Sequence, residues 1–214
     1  IIMPYEIFFY ECVKKHRYDL ELLQSTFAVS FEQVCHRVTC LNNSNPKLRG
    51  IPLHMIRVDR SGNVSKRFSL SGIELPRLSG ACPKWNVYSA FSNPGKISAA
   101  VSKMTDGEKY VCIARTVEKG ISKYGEEKSL LSIGLGCQIK YSKDFVYADG
   151  LNLNDEKSES KIGVSCRKCD RLDCSQRAFP PDTQNYDVNI NQRGVSIFVN
   201  NWLLTCFFRS FFRK

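Results

Sequence analysis

Leu53-His54-Met55-Ile56-Arg57-Val58-Asp59-Arg60-Ser61-Gly62-Asn63-Val64-Ser65-Lys66-Arg67-Phe68-Ser69-Leu70 is the stretch on which the reading of the fold turns. Two short runs carrying Ile, Val and Phe are parted by Asp59-Arg60-Ser61-Gly62-Asn63, a cluster of turn formers. The pattern predicts a strand over 53–58, a turn, and an antiparallel partner over 64–70. Downstream it repeats: Ile97 to Lys103 reads as a strand, Thr105-Asp106-Gly107-Glu108 as a turn, and Tyr110 to Val117 as the returning strand. Two hairpins imply an antiparallel sheet. Between them Cys82-Pro83-Lys84-Trp85-Asn86 opens a short helix through Phe91, and after Gly120 a helix is expected around Glu126 to Leu130. That helix leads into Leu131 to Ile139; Phe145-Val146-Tyr147 reads as a further strand, and 152–161 as a polar loop.

Upstream of the first hairpin the periodicity is helical. Pro4 opens a helix over Tyr5 to Lys15, Asp19 caps a second through Phe27, and Ser30-Phe31-Glu32-Gln33 is a capping box for a third. In the third, Phe31, Val34, Val38 and Leu41 share one face. Helix, short turn, helix is also the outline of a DNA-reading motif with Glu32, Gln33, His36 and Arg37 outward, but a packed helical hairpin is the commoner use of such a pair. Asn42-Asn43-Ser44-Asn45-Pro46 is a turn-rich linker, which divides the chain into a helical segment 1–43, a sheet domain 44–196 and an apolar, basic tail 197–214. The tail holds Arg209, Arg213 and Lys214 among Phe, Trp and Leu; it suits an anionic membrane surface but is too interrupted to span one.

The 214 residues carry a net charge of +10 and 43% hydrophobic residues, an ordinary globular balance. Between Lys47 and Arg115 there are 12 Lys and Arg against 4 acidic residues, so +8 of the +10 lies in the middle of the chain. Such a field attracts nucleic acid, an anionic membrane or a phosphate-rich small molecule, or is only a solvated basic face. Ten cysteines without an opening signal peptide point to a reducing, cytoplasmic setting rather than a disulfide scaffold.

Three of those cysteines, Cys166, Cys169 and Cys174, fall within nine residues. A C-x2-C pair aims two sulfurs at one ion, and Cys174 adds a third; the fourth ligand must be remote, with Cys137 or Cys82 the nearest upstream candidates. Zinc and an iron-sulfur cluster both accept such thiolates, and three reduced surface thiols are the plain alternative.

The run Cys166-Arg167-Lys168-Cys169-Asp170-Arg171-Leu172-Asp173-Cys174-Ser175-Gln176-Arg177-Ala178-Phe179-Pro180-Pro181 resembles the C-terminal signature of the short-chain fatty acyl-CoA regulators, bacterial transcription factors. Upstream, Phe31-Glu32-Gln33-Val34-Cys35-His36-Arg37, Arg57-Val58-Asp59, Gly62-Asn63-Val64-Ser65-Lys66-Arg67, Cys82-Pro83-Lys84-Trp85-Asn86-Val87, Ile113-Ala114-Arg115-Thr116 and Tyr147-Ala148-Asp149-Gly150 fit that family in order, over about residues 1–198. The resemblance implies that residues 1–43 are the end of an ImmA/IrrE-type, metallopeptidase-like segment. It also implies that the DNA-binding domain lies at the far N-terminus, missing from a chain that begins at Ile1. It favours iron-sulfur over zinc for the cysteines.

The expected fold is therefore α+β: an N-terminal helical segment, then a GAF- or PAS-like antiparallel sheet with flanking helices, then a Cys-rich C-terminal loop. The expected function is that of a ligand-sensing module which binds short-chain acyl-CoA and signals to DNA through the missing domain, as a homo-oligomer in the full-length protein. Arg57, Lys66, Arg67 and Arg115 are the candidates for the three phosphoryl groups of CoA, with Trp85 or Tyr110 against the adenine; Cys137, Cys166, Cys169 and Cys174 are the candidate metal set. The alternative is a basic nucleic-acid-binding module with a zinc knuckle. An enzyme ranks last: His-Glu-x-x-His is absent, and His16, His36 and His54 have no paired spacing.

Overall fold

The computed structural model describes residues 2–182 apart from 78–79, 121–122, 126–127 and 172. Helix α1 (Tyr5–Phe9) runs into a wider π-helical turn (Tyr10–Lys15), followed by α2 (Leu20–Phe27) and α3 (Phe31–Thr39). Asp19 caps α2 by accepting from Leu22 N at 3.1 Å. Ser30 and Gln33 close the expected capping box reciprocally, at 3.2 and 2.8 Å, which satisfies two otherwise orphaned amides at the start of α3.

Among the described residues six strands form one sheet: β1 (Leu53–Asp59), β2 (Val64–Ser69), β3 (Ser98–Lys103), β4 (Lys109–Lys119), β5 (Ser129–Gln138) and β6 (Ser160–Lys161), in the order β2-β1-β5-β4-β3-β6. Neighbours are antiparallel except β3 and β6, which are parallel over two residue pairs. Both sequence-predicted hairpins are present. β1 lies between β2 and β5 and is buried along most of its length, whereas β2 is an edge strand exposed along most of its length. From that edge the chain crosses to β3 through 70–97, laying α4 (Asn86–Ser89) over one sheet face.

The other face is closed by α1–α3. Phe8, Leu23, Val34 and Val38 join Leu53, Met55, Val111, Ile133 and Leu135 in one core. The predicted linker at 42–46 thus joins segments that share that core, because the apolar faces of α1–α3 find their cover on the sheet. Alternation along β5 sends Ile133, Leu135 and Cys137 to the helices and Gly134 and Gly136 to the crossover. A methyl on Gly134 would lie 2.4 Å from Val87 Cγ1, and one on Gly136 2.6 Å from Val111 O and 2.7 Å from His54 Cε1. The two glycines let α4 and His54 seat directly on the strand.

Three local expectations fail, the first at the end of the predicted polar loop, where Ser160 and Lys161 pair with Ser102 and Lys103 as β6. Ser129 and Leu130, placed in a helix at Glu126–Leu130, instead open β5 and pair with Lys119 and Glu118, because the ladder to β4 outweighs local helix preference; positions 126–127 lie outside the described residues. Phe145–Tyr147 is not a strand: Val146–Ala148 is a 3-10 turn, and the fully buried Phe145 ring plugs the core 6.2 Å from Tyr18 and 5.3 Å from Tyr147. The tail 197–214 lies outside the described residues; among these, no helix is long and apolar enough to cross a membrane.

Candidate functional site

The sheet separates the candidate ligand-binding residues into two groups. Arg57 and Lys66 are partners across β1 and β2 and project toward α3, where both reach one carboxylate: Arg57 Nη1 is 2.6 Å and Lys66 Nζ 2.7 Å from Glu32 Oε1. His36 Nε2, one turn on, lies 3.1 Å from Lys66 Nζ. Burial raises the Glu32 pKa, but Lys66 and Arg57 outweigh it and hold the carboxyl below its usual range. Arg115, on β4, sits 3.2 Å from Glu21 and 4.8 Å above the Phe31 ring. It borders a cavity of about 570 Å³ with Gly95, Thr116 and Lys119. These three cations are therefore engaged by α2 and α3, a role hidden from any reading of the strands alone.

Arg67 faces the other way, donating to Pro76 O at 3.2 Å and Arg77 O at 3.0 Å. Trp85 and Tyr110 are also on that face, but each is only 2% exposed. They pack against His54, with ring centroids 6.1 and 5.7 Å from it, so neither offers a free ring to an adenine. His54 Nδ1 is 2.8 Å from Ser71 Oγ and its Nε2 3.7 Å from Cys112 Sγ. Burial pushes the imidazole pKa down to about 3 and the Cys112 thiol up to about 11. Ser71, His54 and Cys112 resemble a nucleophilic row, yet the thiol is protonated and His54 and Cys112 are each 1% exposed. The row seals the core; sequence could not reveal it, since a lone His carries no spacing signal.

The thiol loop folds onto the same face. Cys82, Cys166 and Cys169 are buried near one another, and Cys174 is half-buried. The Cys82 thiol is raised first by burial and further by Cys166 and Cys169, while the amides of Gly163 and Lys84 pull it back. Ala178 N donates to Cys166 Sγ at 3.4 Å. Arg177, 3% exposed, holds the loop from within by donating to Cys166 O at 2.9 Å and Cys169 O at 2.8 Å, and also to Arg171 O. Of the two remote cysteines, the sheet brings Cys82 to this loop. Cys137 is fully buried in the helix-side core, beyond the strands, because an odd position on β5 faces α1–α3. Among the described residues, no three His, Cys, Asp or Glu side chains are arranged to hold a metal ion.

Residues 41–198 match the family model described as short-chain fatty acyl coenzyme A regulator, C-terminal. The chain is 40% identical over 197 residues to the HTH-type transcriptional regulator RamB of Mycobacterium tuberculosis, covering 91% of this chain and 41% of RamB. It is 38% identical to the propionyl-CoA carboxylase regulator of Cereibacter sphaeroides, covering 91% of this chain and 41% of that protein. A solved structure of a Mycobacterium tuberculosis transcriptional regulator superposes with a TM-score of 0.82 at 36% identity, covering 92% of this chain and 59% of that one. The chain thus spans about two fifths of the length of these curated relatives.

Proposed function

Because the chain belongs to the short-chain fatty acyl-coenzyme A regulator family, matching its C-terminal part, we propose that it is the sensing module of a transcription regulator, binding a short-chain acyl-CoA. DNA contact belongs in this reading to a part of the full-length regulator outside these residues, and a cytoplasmic, homo-oligomeric full-length protein goes with it. The GAF- or PAS-like reading is supported by the antiparallel run β2-β1-β5-β4-β3, helix-covered on one face and crossed by α4 on the other.

One observation carries the proposal: the basic β1–β2 hairpin is tied to α3 through the half-buried carboxylate of Glu32, which Arg57 and Lys66 share. A ligand that moves the hairpin changes the geometry of that shared contact, and α3 responds. The ligand shifts the population between two arrangements only by its difference in affinity for them. Titration calorimetry of the folded protein with acetyl-, propionyl- and butyryl-CoA tests this. Saturable binding that depends on the acyl group is expected; no heat with any ester refutes it, and tight, strongly salt-dependent DNA binding without a CoA response would favour the nucleic-acid alternative.

The thiol loop was expected to hold an iron-sulfur cluster or zinc. Cys82, Cys166 and Cys169 are buried on one face of the sheet and Cys166 accepts an amide hydrogen bond, but the described side chains do not present a ligand set. No step of the proposed sensing passes through a metal. Its presence is tested by purification without oxygen, an absorption spectrum, and iron and zinc analysis.

A further inference from the structure

Of the sequence-predicted cations, Arg57, Lys66 and Arg115 are spoken for by Glu32 and Glu21, which leaves Arg67. Arg67 stands at the start of a run of positive charge made by three separate segments. One cavity, of about 510 Å³, lies along the β2 edge and is lined by Arg67, Phe68, Arg77 and Lys168. A second, of about 440 Å³, shares Arg77 and Lys168 with the first and continues along the thiol loop past Ser165 and Arg167. Two acids border the cleft, and each is already paired with one of its cations: Glu74 with Lys168 at 2.8 Å and Asp182 with Arg167 at 3.5 Å, all four well exposed.

Four cations against two acids leave a net charge of +2 along the cleft. Among the described residues Arg67 meets only main-chain carbonyls, which orient its guanidinium without neutralising it. Arg77 is exposed, and its side chain makes no hydrogen bond or ion pair among the described residues. Arg167 also lies 5.0 Å over the half-exposed Phe179 ring, so an aromatic face and a guanidinium stand at the cleft's far end.

We propose that this cleft, between the β2 edge, the segment 73–77 and the thiol loop, seats the phosphorylated nucleotide of the ligand. Arg67 and Arg77 bind its phosphoryl groups, Lys168 joins them by leaving its weak, well-exposed contact with Glu74, and Phe179 packs near its base. The assignment rests on the acyl-CoA reading and adds to it a place, because it puts the ligand's charged half against β2, the strand that Lys66 ties to α3. It also gives the thiol loop a part in sensing: Arg167 and Lys168 lie beside Cys166 and Cys169, so loop and ligand stabilise one another.

The test uses the whole chain with two probes, propionyl-CoA and adenosine 3′,5′-bisphosphate, the nucleotide portion alone. The double variant Arg77→Ala, Lys168→Ala removes exposed side chains, and an unchanged unfolding midpoint verifies its fold. Affinity for both probes should fall at least about tenfold, as for losing charge-assisted hydrogen bonds to phosphate. Lys128→Ala, on the strand end where β5 begins, should bind both probes as the wild type does. Wild-type affinity for propionyl-CoA in the double variant overturns the cleft and leaves the sensing reading intact. Bisphosphate binding that the double variant loses, with CoA and its esters bound alike, supports the cleft while the acyl-sensing reading fails. If the wild type binds neither probe, both fail. If the double variant weakens only binding of a duplex DNA fragment, the cleft serves nucleic-acid phosphate and the proposal is wrong.

Discussion

Replacing Gly134 by Ala should destabilise the protein, and the geometry gives the size. The added methyl would stand 2.4 Å from Val87 Cγ1 and 3.0 Å from Ile56 Cγ2, where carbon atoms prefer roughly 3.5–4.0 Å. Overpacking of this kind costs about 1–3 kcal/mol. The loss of unfolded-chain entropy on replacing Gly returns about 0.4–1 kcal/mol. The net is a destabilisation of about 1–2 kcal/mol, a fall of roughly 2–8 °C in Tm for a chain of this size. Both close contacts are side chains, so room can be made: with Val87→Ala in the background the new methyl enters the space that Cγ1 left. The double variant should then be more stable than the sum of the single effects by at least about 0.5 kcal/mol. Gly136→Ala should resist the same rescue by His54→Ala, because its nearest neighbour is the Val111 carbonyl at 2.6 Å, part of the ladder itself. Calorimetric unfolding of the single and double variants measures all of these. A Gly134→Ala protein as stable as wild type, or strict additivity with Val87→Ala, would refute the claim that α4 seats on bare β5 backbone.

The neutral, buried His54 makes stability depend on pH. Its folded pKa of about 3 lies below the unfolded value, so its contribution is full above about pH 6.5 and declines as pH falls toward 3. That is about 2 kcal/mol lost by pH 5, seen in urea unfolding at the two pH values, with the His54 imidazole signals still those of a neutral ring at pH 5. Glu32→Gln should cost about 1–3 kcal/mol by leaving Arg57, whose side chain is 11% exposed, without its counter-charge. Because the Glu32 pKa is lowered on folding, its contribution is present above the unfolded carboxyl pKa and lost as pH falls through the folded one. The acid limb of stability against pH should therefore be shallower in the variant. Toward a chromogenic disulfide reagent, exposed Cys40 should react rapidly, whereas Cys12, Cys35, Cys112 and Cys137, all buried with raised pKa, should react only on unfolding. Any metal retained after purification without oxygen should be lost with Cys82→Ser or Cys166→Ser and kept with Cys137→Ser.

The hairpins at 53–70 and 97–117 were legible because turn formers stand between short apolar runs, and such signals are local. The capping box at Ser30 was legible for the same reason. Phe145–Tyr147 misled because a buried apolar run looks alike whether it pairs in a sheet or plugs a core. Glu126–Leu130 misled because cross-strand pairing lies outside any local window. In the site, the sequence names basic and aromatic candidates but carries no signal for the face each one takes. Arg57 and Arg67 are both basic and both beside the first turn, yet one faces α3 and the other the loop at 76–77.

By itself the sequence determined the strands of the two hairpins, the helical start, the excess of positive charge between 47 and 115, and, through its ordered motifs, the family. Tertiary structure alone decided which of the candidate cations are paired with carboxylates. Pairing β1 between β2 and β5 sets which residues share a face, and crossing from β2 to β3 lays α4 over one face while α1–α3 cover the other. A charge seeks the nearest opposite charge in space, and for Arg57 that is Glu32, 25 residues away. Distances of that kind are set by packing the whole chain, and no stretch of it carries them alone.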